Sequence, residues 1–139
     1  MLLKEGLGMR FRWWLLAAFF PLMAQASPQL RCHFEVNAER FEHSFHPVSD
    51  PYTVTSVNLA DRFRFKAVVL GDDTRVELIN LYVFYQTERQ PMILQHTKYV
   101  TPQAESAPAA NALTGRVALY SPFLGKELLY GCALHEVTR

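Results

Sequence analysis

The stretch that decides the fold runs from residue 61 to residue 100 and reads DRFRFKAVVLGDDTRVELINLYVFYQTERQPMILQHTKYV. In residues 62–69, basic side chains at 62, 64 and 66 alternate with apolar ones at 63, 65, 67 and 69, a period of two that is typical of a half-buried strand and not of a helix. Residues 75–86 are apolar on both faces, which is typical of a central strand covered on both sides. After a second turn, residues 92–100 are rich in β-branched and aromatic types. The stretch therefore predicts a three-stranded meander.

Outside the meander the pattern is less even. Further period-two segments predict strands, and they are residues 30–36, 52–57, 116–120 and 127–137. Residues 37–50 are expected to form an irregular edge segment with room for one short strand, because nearby prolines favour extended backbone. Residues 101–115, rich in Ala, Pro, Ser and Asn, predict a long exposed loop, either a recognition loop or a tolerated insertion.

The number and length of these segments determine the expected fold class. About seven short strands, separated by turn signals and without a helical pattern, predict an all-β protein. The expected architecture is a small antiparallel sandwich or flattened barrel, Ig-like in its general arrangement.

The N-terminal segment has the features of a secretory signal peptide. Basic residues precede a short apolar core, and small residues stand at positions minus three and minus one of a cleavage site after Ala26. The apolar run is shorter than the roughly 20 residues that a membrane-spanning helix needs. We therefore expect residues 1–26 to be a cleaved signal peptide and residues 27–139 to be one periplasmic or secreted domain without a membrane span. Met1 and Met9 are both plausible starts.

Two cysteines, Cys32 and Cys132, lie near opposite ends of the predicted domain, 100 positions apart. In an oxidising compartment such a pair is expected to form a disulfide. Closing a loop of this length stabilises the folded state by roughly 4 to 5 kcal/mol in the chain-entropy model. The bridge requires the first and last strands to be neighbours. A redox or metal-binding use is the alternative, but the chain has no C-x-x-C spacing.

Basic and aromatic side chains suggest two candidate contact surfaces. The chain carries 14 basic and 13 acidic residues, a formal net charge of +1, which does not favour a nucleic-acid partner. The stripe Arg62, Arg64 and Lys66 is expected to face outward, where it either grips an anionic partner such as a glycan or phosphate, or only keeps a strand soluble. The aromatic side chains of Phe41 and Phe45 are the second candidate.

Four histidines form a candidate copper or zinc site: His33, His135, His43 and His46. In extended strands His33 and His135 point away from the face that carries the cysteines. If the first and last strands are neighbours, these two imidazoles are expected to approach each other on the outer surface. No H-E-x-x-H motif supports this reading.

Catalytic motifs are missing from the sequence. Ser44, His46 and Asp50 are close along the chain, but no G-x-S-x-G elbow is present. The sequence therefore predicts an exported, non-catalytic β-sandwich without a cofactor, which binds another envelope protein or a small ligand. The alternatives are a periplasmic copper- or zinc-binding protein and a small secreted hydrolase.

Overall fold

The computed structural model describes residues 18–123 and 125–138. These residues form eight strands and one short 3₁₀ turn at Pro51–Thr53, without any α-helix. The strands are β1 (Ala26–Val36), β2 (Glu39–Phe45), β3 (Val57–Leu59), β4 (Phe63–Gly71), β5 (Val76–Gln86), β6 (Pro91–Val100), β7 (Val117–Tyr120) and β8 (Glu127–Thr138). They make two antiparallel four-stranded sheets, sheet A in the order β2-β1-β8-β7 and sheet B in the order β3-β4-β5-β6. The predicted all-β sandwich is confirmed.

Sheet B contains the meander that the alternating pattern predicts. Phe65 pairs with Val83 on the inner side, whereas Lys66 pairs with Tyr82 on the outer side. The β4–β5 turn is tight, because a Cβ on Gly71 would lie 2.3 Å from the carbonyl oxygen of Arg75. Asp72 closes this turn: its Oδ1 accepts hydrogen bonds from the hydroxyl and backbone N–H of Thr74 and from the Arg75 N–H, and these bonds lower the pKa of the carboxyl.

Sheet A joins the two ends of the domain. β1 pairs with β8 along its whole length, which places Cys32 directly opposite Cys132, and their sulfurs are bonded at 2.08 Å. The backbone of Cys132 is hydrogen-bonded on the other side of β8, to the N–H of Leu113 and the hydroxyl of Thr114. The two cysteines are therefore a non-hydrogen-bonded pair, the arrangement that brings facing side chains closest. This buried bridge confirms the predicted disulfide and indicates an oxidising compartment.

One local prediction is partly confirmed and another is wrong. The segment 37–50 lies at the edge of sheet A and contains one strand, but this strand, β2, is regular, because Asn37 and Ala38 adopt positive φ values of 52° and 65° and form a tight hairpin turn onto β1. The strand expected at 52–57 is instead the 3₁₀ turn, and β3 starts only at its end. Asp50 caps this turn by accepting a hydrogen bond from the Tyr52 N–H at 2.9 Å.

The segment 101–115 is docked on β8. β7 pairs only with 127–130 of β8, which leaves the backbone groups that follow without a strand partner. The segment supplies partners there: the Glu105 N–H donates to the Leu134 carbonyl at 3.1 Å, and the Glu136 N–H donates to the Glu105 carbonyl at 2.8 Å. It therefore completes the edge of sheet A.

The core lies between the two sheets and is closed by aromatic contacts. The ring of Phe34 on sheet A meets that of Phe65 on sheet B edge-on, with centroids 4.7 Å apart. The Tyr130 hydroxyl donates a hydrogen bond across the core to Oε1 of Gln95. Burial, together with the nearby Tyr99, raises the pKa of the Tyr130 hydroxyl well above its ordinary value.

The predicted signal peptide falls largely outside the described residues, which begin at residue 18. β1 begins at Ala26, directly at the expected cleavage site. Within 18–123 and 125–138, no helix is long and apolar enough to cross a membrane.

Candidate binding face on sheet B

The outer face of sheet B presents a regular grid of side chains. Along β5 the residues at odd positions from Ile79 to Tyr85 point into the core, so those at even positions point outward. Cross-strand pairing aligns them with β4 and β6 in three rows, which are Arg64–Phe84–Ile93, Lys66–Tyr82–His96 and Val68–Asn80–Lys98. We call these nine residues the outer face of sheet B.

Aromatic rings occupy the middle of this face. The rings of Tyr82 and His96 are nearly parallel, at 6°, with centroids 4.4 Å apart, a distance that requires the two rings to overlap face to face. Phe84 continues the row, 6.2 Å from Tyr82 and inclined by only 12°. The His96 Nε2–H donates to Oδ1 of Asn80 at 3.0 Å, which fixes the imidazole. Because His96 lies on the β6 side of Tyr82, the other face of the tyrosine ring is turned toward β4.

Three cations flank the aromatic rings: Arg64 and Lys66 on the β4 side, and Lys98 on the β6 side. Arg64 and Lys98 are exposed, and Lys66 is half-buried. The ion pairs found in the described residues join Arg40 to Glu35 and Arg75 to Glu77, and neither contributes to this face. The face also contains no carboxylate. The face therefore has a net positive charge, and its three cations take part in neither of these ion pairs.

A shallow groove of about 190 Å³ lies on the β4 side of this face, beside Arg64, Lys66 and Phe84. Its lining comprises Arg64, Lys66, Phe84, Pro91, Val54 and Ser56. Small-molecule sites usually enclose 300 Å³ or more. This open groove is thus better suited to part of an extended chain laid over the sheet than to an enclosed small ligand.

The three residues of the predicted basic stripe do not all lie on one face of the sheet. Arg64 and Lys66 lie on the outer face of sheet B, as the alternation predicts. Arg62 lies in the turn before β4, where its carbonyl accepts the Gln86 N–H at 2.8 Å. Their role in binding stays a prediction.

The predicted aromatic surface faces the interior. Phe41 and Phe45 lie on the inner side of β2, half-buried, and pack against the core. The Phe45 ring is 5.8 Å from that of Phe65. His43 lies between them in sequence and shares their side, with its ring 6.0 Å from Phe34. These side chains close the open edge of the sandwich.

The structure does not bring the histidines of the predicted metal site together. His33 is paired with Gly131 and His135 with Gln29, so the two histidines are about 13 Å apart along the strands at 3.3 Å per residue. His46 lies beyond the end of β2. No group of three His, Cys, Asp or Glu residues suited to a metal ion is found in 18–123 and 125–138. Burial, followed by the charge of Arg31, lowers the pKa of His135, against the opposing effect of Glu42.

Sequence reasoning missed Tyr82, Phe84, His96 and Lys98 as candidate site residues. The signal for Tyr82 and Phe84 is the apolar character of both faces of β5, which predicts a strand covered twice, whereas His96 and Lys98 on β6 join them only through strand pairing. The chain matches no protein-family model, no curated protein and no solved structure. Its function is therefore inferred from its own residues and their geometry.

Proposed function

We propose that this protein is an exported, non-catalytic binding module that holds an acidic glycan of the cell envelope on the outer face of sheet B. The observation that carries the proposal is the row of aromatic rings flanked by cations that take part in no ion pair among the described residues. The buried Cys32–Cys132 disulfide and the predicted signal peptide support a periplasmic or secreted location.

An acidic glycan has the two chemical features that this face can recognise. A sugar ring presents a face of C–H groups, which pack favourably on the electron-rich face of an aromatic ring. Its carboxylate or sulfate groups form charge-assisted hydrogen bonds with guanidinium and ammonium groups. Phe84 and Arg64 are direct cross-strand partners, as are Tyr82 and Lys66, so each ring has a cation beside it. One sugar unit can therefore use both kinds of contact at neighbouring positions.

A chain-like ligand fits the shape of the face better than a compact one. The side chains follow β5 in steps of two residues, about 6.6 Å. The groove beside Phe84 is open and shallow. Successive sugars of an extended polymer can occupy successive rows, and many weak contacts then add up to useful affinity.

The proposal is tested with the processed protein and alginate, a polymer of uronic acids, by isothermal titration calorimetry at low ionic strength. We expect binding that weakens as salt is raised, because exposed charges are screened. Arg64→Gln/Lys66→Gln should weaken it roughly tenfold or more, since one charged hydrogen bond contributes about 1.5 kcal/mol. Phe84→Ala should weaken it while leaving the charge unchanged.

The controls separate this face from general charge effects. Arg40→Gln/Arg116→Gln removes the same charge from sheet A and should leave the affinity for alginate unchanged. Neutral dextran should bind much more weakly than alginate. Equal affinity of the parent protein and the Arg64→Gln/Lys66→Gln variant would contradict the proposal, as would tighter binding of a single-stranded oligonucleotide than of any acidic glycan.

A further inference from the structure

A second cavity lies on the opposite side of the sandwich, on the outer face of sheet A. Its volume is about 500 Å³, within the range of small-molecule sites. The polar side chains that line it are His33, Glu35, Arg40, Glu42, Asn111 and Arg116. It shares no residue with the outer face of sheet B, so its role is independent of the proposed glycan binding.

Gly131 explains how Asn111 comes to lie on this face. A Cβ at position 131 would lie 1.8 Å from Oδ1 of Asn111 and 3.1 Å from Cε1 of His33, so any larger residue would displace the amide. Glycine weakens the interior of a strand, and its presence there often marks the close approach of another group. The backbone around Asn111 is fixed as well. The Asn111 carbonyl accepts a hydrogen bond from the Gly115 N–H at 2.8 Å, and the Leu113 N–H donates one to the Cys132 carbonyl.

The amide oxygen held in this way is unpaired within the part of the chain that the structure describes. Oδ1 of Asn111 is buried, and no group of the described residues donates a hydrogen bond to it. Buried acceptors are nearly always satisfied, because leaving one unpaired is costly. Since the side chain also lines the cavity, a ligand that carries an N–H donor would satisfy it.

Polar and charged side chains form a row across sheet A that passes Asn111. His33 on β1 is paired with Glu42 on β2 and with Gly131 on β8. Arg116 directly precedes Val117, whose partner is Tyr130, so Arg116 stands beside Gly131 at the far end of the same row. The row thus runs from a carboxylate, past the imidazole and the amide oxygen, to a guanidinium.

The two ends of the row have no ion-pair partner among the described residues, whereas Glu35 and Arg40 in the next row pair with each other at 4.0 Å. Glu42 and Arg116 lie three strand spacings apart, about 14 Å between backbones. Both residues line the cavity. An extended di- or tripeptide, at about 3.3 Å per residue, spans about 7 to 10 Å of this separation, and the two side chains bridge the rest.

We propose that this cavity binds a short peptide with free termini. The peptide ammonium group donates hydrogen bonds to the carboxylate of Glu42, and the N–H of the peptide bond donates to Oδ1 of Asn111. The peptide carboxylate accepts hydrogen bonds from the guanidinium of Arg116. Leu129, on the floor of the cavity, contacts the apolar part of the ligand.

The experiment titrates the processed protein with the dipeptide Ala-Ala and follows binding by calorimetry and by amide NMR shifts. We expect saturable binding with shifts centred on 111–116 and 131. N-acetyl-Ala-Ala and Ala-Ala-amide, which each lack one terminal charge, should bind at least tenfold more weakly. The Arg116→Gln and Glu42→Gln variants should show the same loss, and Arg64→Gln, which removes a charge from the other sheet, should show none.

Gly131→Ala tests the position of Asn111 directly and should abolish binding. If that variant does not fold, Asn111→Leu removes the amide without adding an atom to β8 and should give the same result. Absence of saturable binding to Ala-Ala at millimolar concentration would overturn the proposal. So would equal binding of the blocked and free dipeptides, or full affinity in Arg116→Gln.

Discussion

Reducing the disulfide should lower the free energy of unfolding by about 4 to 5 kcal/mol, because Cys32 and Cys132 close a loop of 100 positions in the unfolded chain. The folded state should change little. β1 and β8 stay paired along the whole of β1, and both cysteines are buried, where free thiols behave as small apolar side chains. The loss therefore arises mainly from the greater freedom of the reduced unfolded chain.

Equilibrium urea denaturation, followed by far-UV circular dichroism with and without a phosphine reductant, measures this effect. Domains of this size have slopes of about 1 to 3 kcal/mol per M urea, so the midpoint should fall by about 2 M. The slope should also increase, because a reduced chain exposes more surface when it unfolds. Cys32→Ala/Cys132→Ala is the matched control, and it should unfold near the reduced protein and be insensitive to the reductant.

Two results would refute this reasoning. A loss below about 1 kcal/mol on reduction would mean that the bridge does not constrain the unfolded chain as its loop length predicts. Two free thiols in the protein recovered from its natural compartment would mean that the bridge does not form there.

Three further predictions concern local features. Tyr130→Phe leaves Gln95 without its partner across the core and should destabilise the protein by about 1 to 2 kcal/mol. In a double-mutant cycle, adding Gln95→Leu to this variant should recover part of the lost stability. Ala38→Gly should stabilise it by about 0.5 to 1 kcal/mol in urea denaturation, because alanine at positive φ is strained and glycine is not. The folded-state pKa of His135 is lowered, so the unfolded chain binds the proton first and stability should fall as the pH drops below about 6.5. His135→Gln should flatten this fall when thermal unfolding is followed between pH 7.5 and 5. An unchanged pH dependence in this variant would contradict the prediction.

The parts of the fold that follow from side-chain period and from cysteine placement were predictable. Alternation in 62–69 fixes which side chains of β4 face the core, and the structure agrees at Phe63, Phe65 and Lys66. The cysteines predict the β1–β8 pairing, which no local pattern reveals.

The parts that depend on backbone pairing were not predictable from side chains. β2 is regular because the Asn37-Ala38 turn folds it onto β1, although its sequence lacks the glycine that usually marks such a turn. Residues 101–115 dock through main-chain hydrogen bonds to β8, which composition does not report.

The expected approach of His33 and His135 is wrong for a reason of chain direction. His33 lies one residue after Cys32, and His135 lies three residues after Cys132. Because β1 and β8 are antiparallel, these offsets point in opposite directions from the disulfide, so the separations add. Both side chains do face outward as predicted, but the register keeps them apart.

The outer side of β5 connects the fold to the proposed function. A strand that is apolar on both faces is normally covered on both, yet here Tyr82 and Phe84 are only partly buried, and Ile93 beside them is 55% exposed. The surface that these side chains leave exposed contributes nothing to folding of the single chain, whereas a bound partner gains from covering it. A second copy of the same face would bring cation against cation, because the nine residues of this face include Arg64, Lys66 and Lys98 and no carboxylate. An acidic chain covers the rings and pairs with these charges in one step, which makes it the partner that fits both properties of the face.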